Sequence, residues 1–281
     1  FIEKVICDAS DIDENQMKEF VIEGDKKILV IKQNEKYHAI GAHCSHYGAQ
    51  LVMGSLGDGR IRCPWHGACF NIKTGDIEDF PALDSLPCYE VKVDDNKVKV
   101  RINKRNLNEE KVTMKMAQRD PGNDEISLII GGGPAGQTCA ETLRQNGFMG
   151  RIVMVCKENY LPYDRMKISK ILNSTLEDVQ LRPHQFYTEN SIETLLGTEV
   201  VSLSTNNKQA ILDTGNKLSY NQLFIATGSR PRLPKIHGSH LKNVFTLRTI
   251  DDALKIDSTL HEKAHVIILG SSFLAMEVAS Y

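Results

Sequence analysis

Hydrophobic and polar positions alternate over short runs in the first third of the chain. KKILVIK (26–32), KYHAIG (36–41) and YEVKVDDNKVKVRI (89–102) are rich in branched and aromatic residues. Gly, Asp and Asn separate them. That pattern predicts strands, the last run being a hairpin with Asp95 and Asn96 at its tip. Two loops interrupt the set, HCSHYGAQ (43–50) and RCPWHGACF (62–70). From residue 104 to 123 the chain is charged, lacks an apolar period and meets Pro-Gly, which reads as a linker.

Beyond residue 124 the period changes. ISLII (126–130) runs into GGGPAG, followed by QTCAETLRQNGF with Ala140, Leu143 and Phe148 at helical spacing. RIVMV (151–155) is a second apolar run, so the segment predicts a βαβ unit and a parallel sheet. Further strands are expected near 200–204, 209–213 and 223–227. HVIILGSSFLAMEVASY (265–281) reads as a second strand, glycine turn and helix. The expected fold is multidomain: an all-β domain over 1–103, a linker over 104–123, then an α/β Rossmann-like nucleotide-binding part. That part divides into a first segment over 124–263 and a second unit starting at 264–281.

Composition narrows the partners. The formal net charge of -2 over 281 residues gives no global attraction to nucleic acid or anionic membrane. No apolar run approaches the ~20 residues needed to span a bilayer. Seven scattered cysteines suit a reducing compartment better than a disulfide scaffold. The chain begins on Phe1 and stops soon after a helix-opening motif, which reads as a fragment.

The β domain carries two mixed ligand pairs, Cys44-x-His46 and Cys63-x-x-His66, each beside a glycine, Gly48 or Gly67. A lone Cys and His in a loop is usually structural; two matched pairs point to metal. Zinc is the competitor, but structural zinc sites usually pair Cys with Cys and His with His. The pattern resembles the Rieske [2Fe–2S] ferredoxin family. The resemblance implies Cys44 and Cys63 on the buried iron and His46 and His66 on the outer one. High-potential members carry a disulfide where this chain has Ala49 and Trp65, and Ser and Tyr donors where it has Ala68 and Phe70. Without those donors the cluster is expected at the low end of the Rieske range, roughly -150 mV. Cys69 matches no ligand position and reads as a buried small hydrophobe.

GGGPAG is G-x-G-x-x-G in the right setting, a strand before and a helix after, with Glu158 downstream as a candidate ribose partner. LPYDRMKISK (161–170) and FIATGSRPRLP (224–234) add specificity. Together they resemble the FAD-dependent pyridine nucleotide oxidoreductases, in the branch of ferredoxin reductases and apoptosis-inducing factors. The resemblance implies FAD on Gly131, Gly133, Pro134, Ala135 and Gly136. It also implies Arg165 and Lys170 facing the flavin, Val201 near the adenine, and Ala226, Thr227 and Gly228 along the cofactor. The ribose partner falls at Glu158 or one place earlier, at Lys157, and Met166 replaces the family's proline. GSSFLAMEVA (270–279) resembles the NAD(P)H turn, with Gly270, Ser272, Phe273, Leu274 and Ala275 on it and Glu277 pairing with Lys170.

No C-x-x-C or C-x₄-C stands in this part, where Cys139 and Cys156 are far apart, which argues against disulfide reduction. HYGA, RCPWHGACFN, CAETLRQ, LPYDR and FLAMEVA together resemble the Rieske-containing apoptosis-inducing factors. The implied function is an NAD(P)H oxidoreductase passing electrons through FAD to the [2Fe–2S] cluster and an unknown, possibly protein, acceptor. Two other readings accompany it: a redox-responsive cell-death signalling protein, and a reductase component for an oxygenase. The family implies a mitochondrial location, with the cytoplasm as the alternative.

Overall fold

The computed structural model describes residues 1–103 and 109–281. They form two compact units, Phe1–Lys115 and Met116–Tyr281.

The first unit is all β. Its strands are β1 (Ile2–Asp8), β2 (Gln16–Glu23), β3 (Lys26–Gln33), β4 (Lys36–Gly41), β5 (Ser55–Leu56), β6 (Arg60–Arg62), β7 (Cys69–Asn71), β8 (Ile77–Asp79), β9 (Cys88–Asp94) and β10 (Lys97–Ile102). One antiparallel sheet runs β1-β10-β9-β4-β3-β2 and a smaller one β5-β6-β7-β8. The expected hairpin joins β9 to β10, with Asp95 and Asn96 both at positive φ. Such a two-residue turn matches the twist of its strands. β3 is buried on both faces, so Ile28 to Ile31 run apolar without alternation. Ile28 and Val30 enter one core. Leu29 and Ile31 enter the other, which also holds Cys44 and Cys63. The two ligand loops therefore spring from a packed layer, one after β4 and the other between β6 and β7.

The second unit contains β11 (Ile126–Ile130), α1 (Pro134–Gln145), β12 (Arg151–Val155), α2 (Leu176–Val179), α3 (His184–Glu189), β13 (Ile192–Leu195), β14 (Val200–Ser204), β15 (Gln209–Leu212), β16 (Lys217–Ser219), β17 (Gln222–Ile225), α4 (Ile250–Asp257) and α5 (Phe273–Ser280). A parallel sheet runs β13-β12-β11-β17, and β14-β15-β16 forms an antiparallel meander. Leu128, Ile130, Val153 and Val155 face the meander. Ile129, Ile152 and Met154 face α1 and Tyr187. Both faces are covered, which is why ISLII and RIVMV read as continuous apolar runs.

One expectation is corrected. The strand read into 265–269 does not form: Ile267 is 94% exposed, and among the described residues no strand pairs with that run. A parallel strand needs a neighbour's backbone, and this run meets none among the described residues, although α5 forms behind it. The division between the units, after Lys115, falls inside the stretch read as a linker, whose described part is hydrogen-bonded at both ends. Residues 104–108 lie outside the described residues. Val112 bridges to Ser85 in the first unit. Ala117 and Asp120 donate backbone hydrogen bonds to Arg144 and Met149 in the second. Charge and lack of period concealed these main-chain bonds.

Candidate functional site

The two ligand loops share one hydrogen-bond scheme. Cys44 N–H donates to Ala49 O at 2.9 Å and Gly48 N–H to Cys44 O at 2.8 Å. Cys63 N–H donates to Ala68 O at 2.8 Å and Gly67 N–H to Cys63 O at 3.3 Å. Gly48 and Gly67 take φ +75° and +79°, with no other backbone close to the place of a Cβ. Glycine is therefore required there by conformation rather than by space. Each loop is a six-residue return from cysteine to alanine, with the histidine at the third position in one and the fourth in the other.

The four expected ligands come together as two pairs. The Cys44 and Cys63 thiols are hydrogen-bonded neighbours, and burial, with the second thiol beside it, pushes Cys44 up to about 11. Binding iron must therefore displace thiol protons. The His46 and His66 rings stand edge to face with centroids 5.0 Å apart. Tyr47 stacks on His46 at 3.8 Å, and Trp65, 60% exposed, stands edge-on to His66. Thiols paired at the buried end and imidazoles paired at the outer end fit a two-iron cluster. Ala68 and Phe70 are fully buried beside the loop and offer it no side-chain hydroxyl, while buried Cys69 packs as a small hydrophobe.

The dinucleotide turn is built from three glycines with separate tasks. Gly131 lies at φ +124°, where a Cβ would meet Ala226 O at 2.1 Å. A Cβ on Gly136 would meet Gly131 O at 2.1 Å, whereas one on Gly133 would meet nothing within 4 Å. The open side lies over Gly133, the N-cap of α1, where Pro134 opens the helix without a side-chain cap or a first-turn acid. The free N–H groups of Ala135 and Gly136 and the helix dipole suit a pyrophosphate. These features fit the phosphate end of FAD. Ala226 hydrogen-bonds to Ile130 O beside the turn, with Thr227 and Gly228 following. Val201 is exposed on β14.

The second turn repeats the first. Gly270 lies at φ +126°, and Ser272 caps α5 with extended backbone but makes no side-chain cap bond. A serine at this place usually closes the helix end upon itself; here the donors stay open. Phe273 and Leu274 are exposed in the first turn. Lys170 Nζ lies 3.0 Å from Glu277 Oε1, joining the two expected partners. Ser169 Oγ donates to Glu277 Oε2 at 2.5 Å. That bond and Lys170 together hold the Glu277 carboxyl below its ordinary value.

Glu158 stands beyond the end of β12, and its carboxylate receives a hydrogen bond from the Tyr163 hydroxyl at 2.6 Å and ion-pairs with Arg165. The Arg165 guanidinium, expected to face the flavin, is committed here: Nη1 also donates to Tyr163 Oη at 2.7 Å and to Arg248 O at 3.0 Å. Lys157, the other candidate at the ribose position, instead reaches Glu199 at 2.7 Å. Sequence reading missed the support behind α1. Glu141 and Arg182 form a buried two-pronged ion pair, both bonds 2.9 Å. Gln137 donates to Glu141 at 2.7 Å and receives Tyr187 Oη at 2.6 Å. Only their helical spacing from GGGPAG could have marked Gln137 and Glu141.

Comparison with known proteins shows the family. A family model described as pyridine nucleotide-disulphide oxidoreductase matches residues 127–281, and a Rieske [2Fe–2S] domain model matches residues 3–90. The chain is 44% identical to apoptosis-inducing factor 3 of Homo sapiens over its whole length, which covers 47% of that protein. It therefore spans about half the length of the curated relatives it matches across both units. The ferredoxin–NAD(+) reductase subunit of the benzene 1,2-dioxygenase system of Pseudomonas putida is 40% identical, over 54% of this chain and 38% of its own. A crystal structure of a ferredoxin reductase from Rhodopseudomonas palustris has TM-score 0.53 and 32% identity, over 56% of this chain and 39% of its own. No helix among the described residues is long and apolar enough to cross a membrane. The chain belongs to the pyridine nucleotide-disulphide oxidoreductase family and carries a Rieske [2Fe–2S] domain ahead of its nucleotide-binding part.

Proposed function

We propose that this protein is an NAD(P)H oxidoreductase in which electrons pass by way of FAD to a low-potential Rieske cluster and on to a further acceptor. The observation that carries the reading is the presence, on one chain, of paired thiol and imidazole loops and of two open, uncapped dinucleotide turns. FAD would supply two-electron acceptance and one-electron release, and the cluster a one-electron store.

The residues divide the work. Gly131, Gly133 and Gly136 let backbone N–H groups approach a pyrophosphate, and Glu158 is the acidic partner for the ribose. The open end of α5, with Gly270 and Ser272, is the corresponding seat for NAD(P)H. Glu277, its carboxyl held below its ordinary value by Ser169 and Lys170, pairs with Lys170. Cys44 and Cys63 would hold one iron and His46 and His66 the other, and the cluster would supply one-electron storage.

The relative from the benzene dioxygenase system favours a second reading, in which the acceptor belongs to an oxygenase system. Likeness to apoptosis-inducing factor 3 supports a mitochondrial location, which fractionation of tagged protein checks. The main test is NADH-dependent reduction of a one-electron protein acceptor by holoprotein and by a Cys63→Ser variant. Loss of that activity with retained flavin reduction supports the path. Equal activity in both places the cluster outside it.

A further inference from the structure

The segment after the Rieske strands does not leave that unit directly. Val112 and Ser85 exchange both main-chain hydrogen bonds, at 2.8 and 2.9 Å. On either side of Val112, Lys111 Nζ lies 3.5 Å from Asp84 Oδ2 and Thr113 Oγ1 donates to Asp84 Oδ1 at 3.0 Å. The Asp84 side chain is only 5% exposed, so its carboxylate depends on such partners. Its own carbonyl oxygen accepts the Ser45 hydroxyl at 2.6 Å. Ser45 stands between Cys44 and His46. The loop holding Asp84 is anchored from below as well: Ser85 Oγ accepts Ile77 N–H at 3.1 Å, and Leu86 N–H donates to Gly75 O at 2.8 Å.

We propose that Asp84 is a positioning residue for the cluster: its carboxylate is clasped by residues 111–113, and its carbonyl in turn seats Ser45 and the first ligand loop. Carboxylate and carbonyl belong to one residue, so a change in the clasp reorients the acceptor under Ser45. The segment by which the chain leaves the Rieske unit is thereby part of the cluster's seat. A cut or displacement between 109 and 113 reaches the first ligand loop through two hydrogen bonds in series, Thr113 to Asp84 and Ser45 to Asp84. The inference rests on the cluster assignment and is independent of the electron path.

The test uses cluster-loaded protein and four variants: Thr113→Val, Thr113→Ser, Asp84→Asn and Lys26→Ala. Lys26→Ala breaks the ion pair to Glu110 on the same segment without touching Asp84. The readouts are the EPR line shape of the reduced cluster and the rate of cluster loss to a chelator. Melting followed by far-UV circular dichroism serves as the measure of overall stability. The expected result is cluster loss about fivefold faster in Thr113→Val, from one buried hydrogen bond. Asp84→Asn should lose its cluster at least as fast, both with altered line shape, while Thr113→Ser and Lys26→Ala stay at wild type. Wild-type spectra and loss rates in Thr113→Val and Asp84→Asn overturn the proposal. So does an equal effect in Lys26→Ala, which marks general destabilisation. A wild-type protein without a Rieske spectrum refutes the cluster assignment itself, and the clasp with it.

Discussion

Replacing Glu141 by Ala tests whether the nucleotide turn is held from behind. Glu141 and Arg182 are 3% and 5% exposed in their side chains and joined by two hydrogen bonds. The substitution leaves a buried guanidinium without its counter-charge and strips Gln137 of its acceptor. Removing one partner of such a pair costs ~3–5 kcal/mol. With a urea dependence of about 2 kcal/mol per molar, the unfolding midpoint of the second unit falls by about 2 M. The molecule provides its own control. Its single tryptophan, Trp65, lies in the first unit, so fluorescence reports that unit while far-UV circular dichroism also follows the second. The fluorescence transition should not move. A double replacement, Glu141→Leu with Arg182→Met, should recover most of the loss, since the charges themselves are costly to bury. FAD affinity should follow stability, because the network pins the helix whose N-terminus forms the turn. A midpoint shift below about 0.5 M in Glu141→Ala would refute the reasoning.

Other outcomes rest on single residues. Gly131→Ala places a methyl 2.1 Å from Ala226 O and should abolish FAD retention, read from bound flavin absorbance; full loading contradicts the assigned turn. Ala68→Ser, adding a donor beside the cluster, should raise the reduction potential above roughly -150 mV in a redox titration; an unchanged or lower value contradicts the hydrogen-bond account. Glu277 has its carboxyl depressed in the folded protein. Its stabilising contribution is therefore present above the ordinary glutamate value of ~4.3 and is lost as pH falls through the lower folded value. Ser169→Ala should move the Glu277 titration, followed by NMR, back up toward that ordinary value, and an unmoved titration removes Ser169 from this role.

The parts legible in sequence were those in which one element decides its own shape. Asp95-Asn96 announced a hairpin, GGGPAG a turn and helix, and the two Cys/His loops a metal site, because turn chemistry and ligand spacing are local. The parts that escaped depend on distant partners. VIILG has the composition of a buried strand yet pairs with no strand among the described residues, since pairing is a property of two segments. Residues 109–123 read as linker because their attachments are main-chain bonds to Ser85, Arg144 and Met149, which leave no trace in composition. α2 and α4 were not anticipated, although Thr175 with Asp178 and Thr249 with Asp252 are capping boxes. The commitment of Arg165 to Glu158 and Tyr163 needed the fold to bring the residues after β12 together.

The proposed path has NAD(P)H reduce the Rieske cluster through this chain's own nucleotide sites. Anaerobic addition of NADH to protein loaded with FAD and cluster, frozen and examined by EPR, tests it most directly. The reduced Rieske signal should appear in wild type and be absent when Gly131→Ala prevents FAD retention, with dithionite still reducing the cluster there. Flavin bleaching by NADH with a cluster that stays oxidised would contradict it.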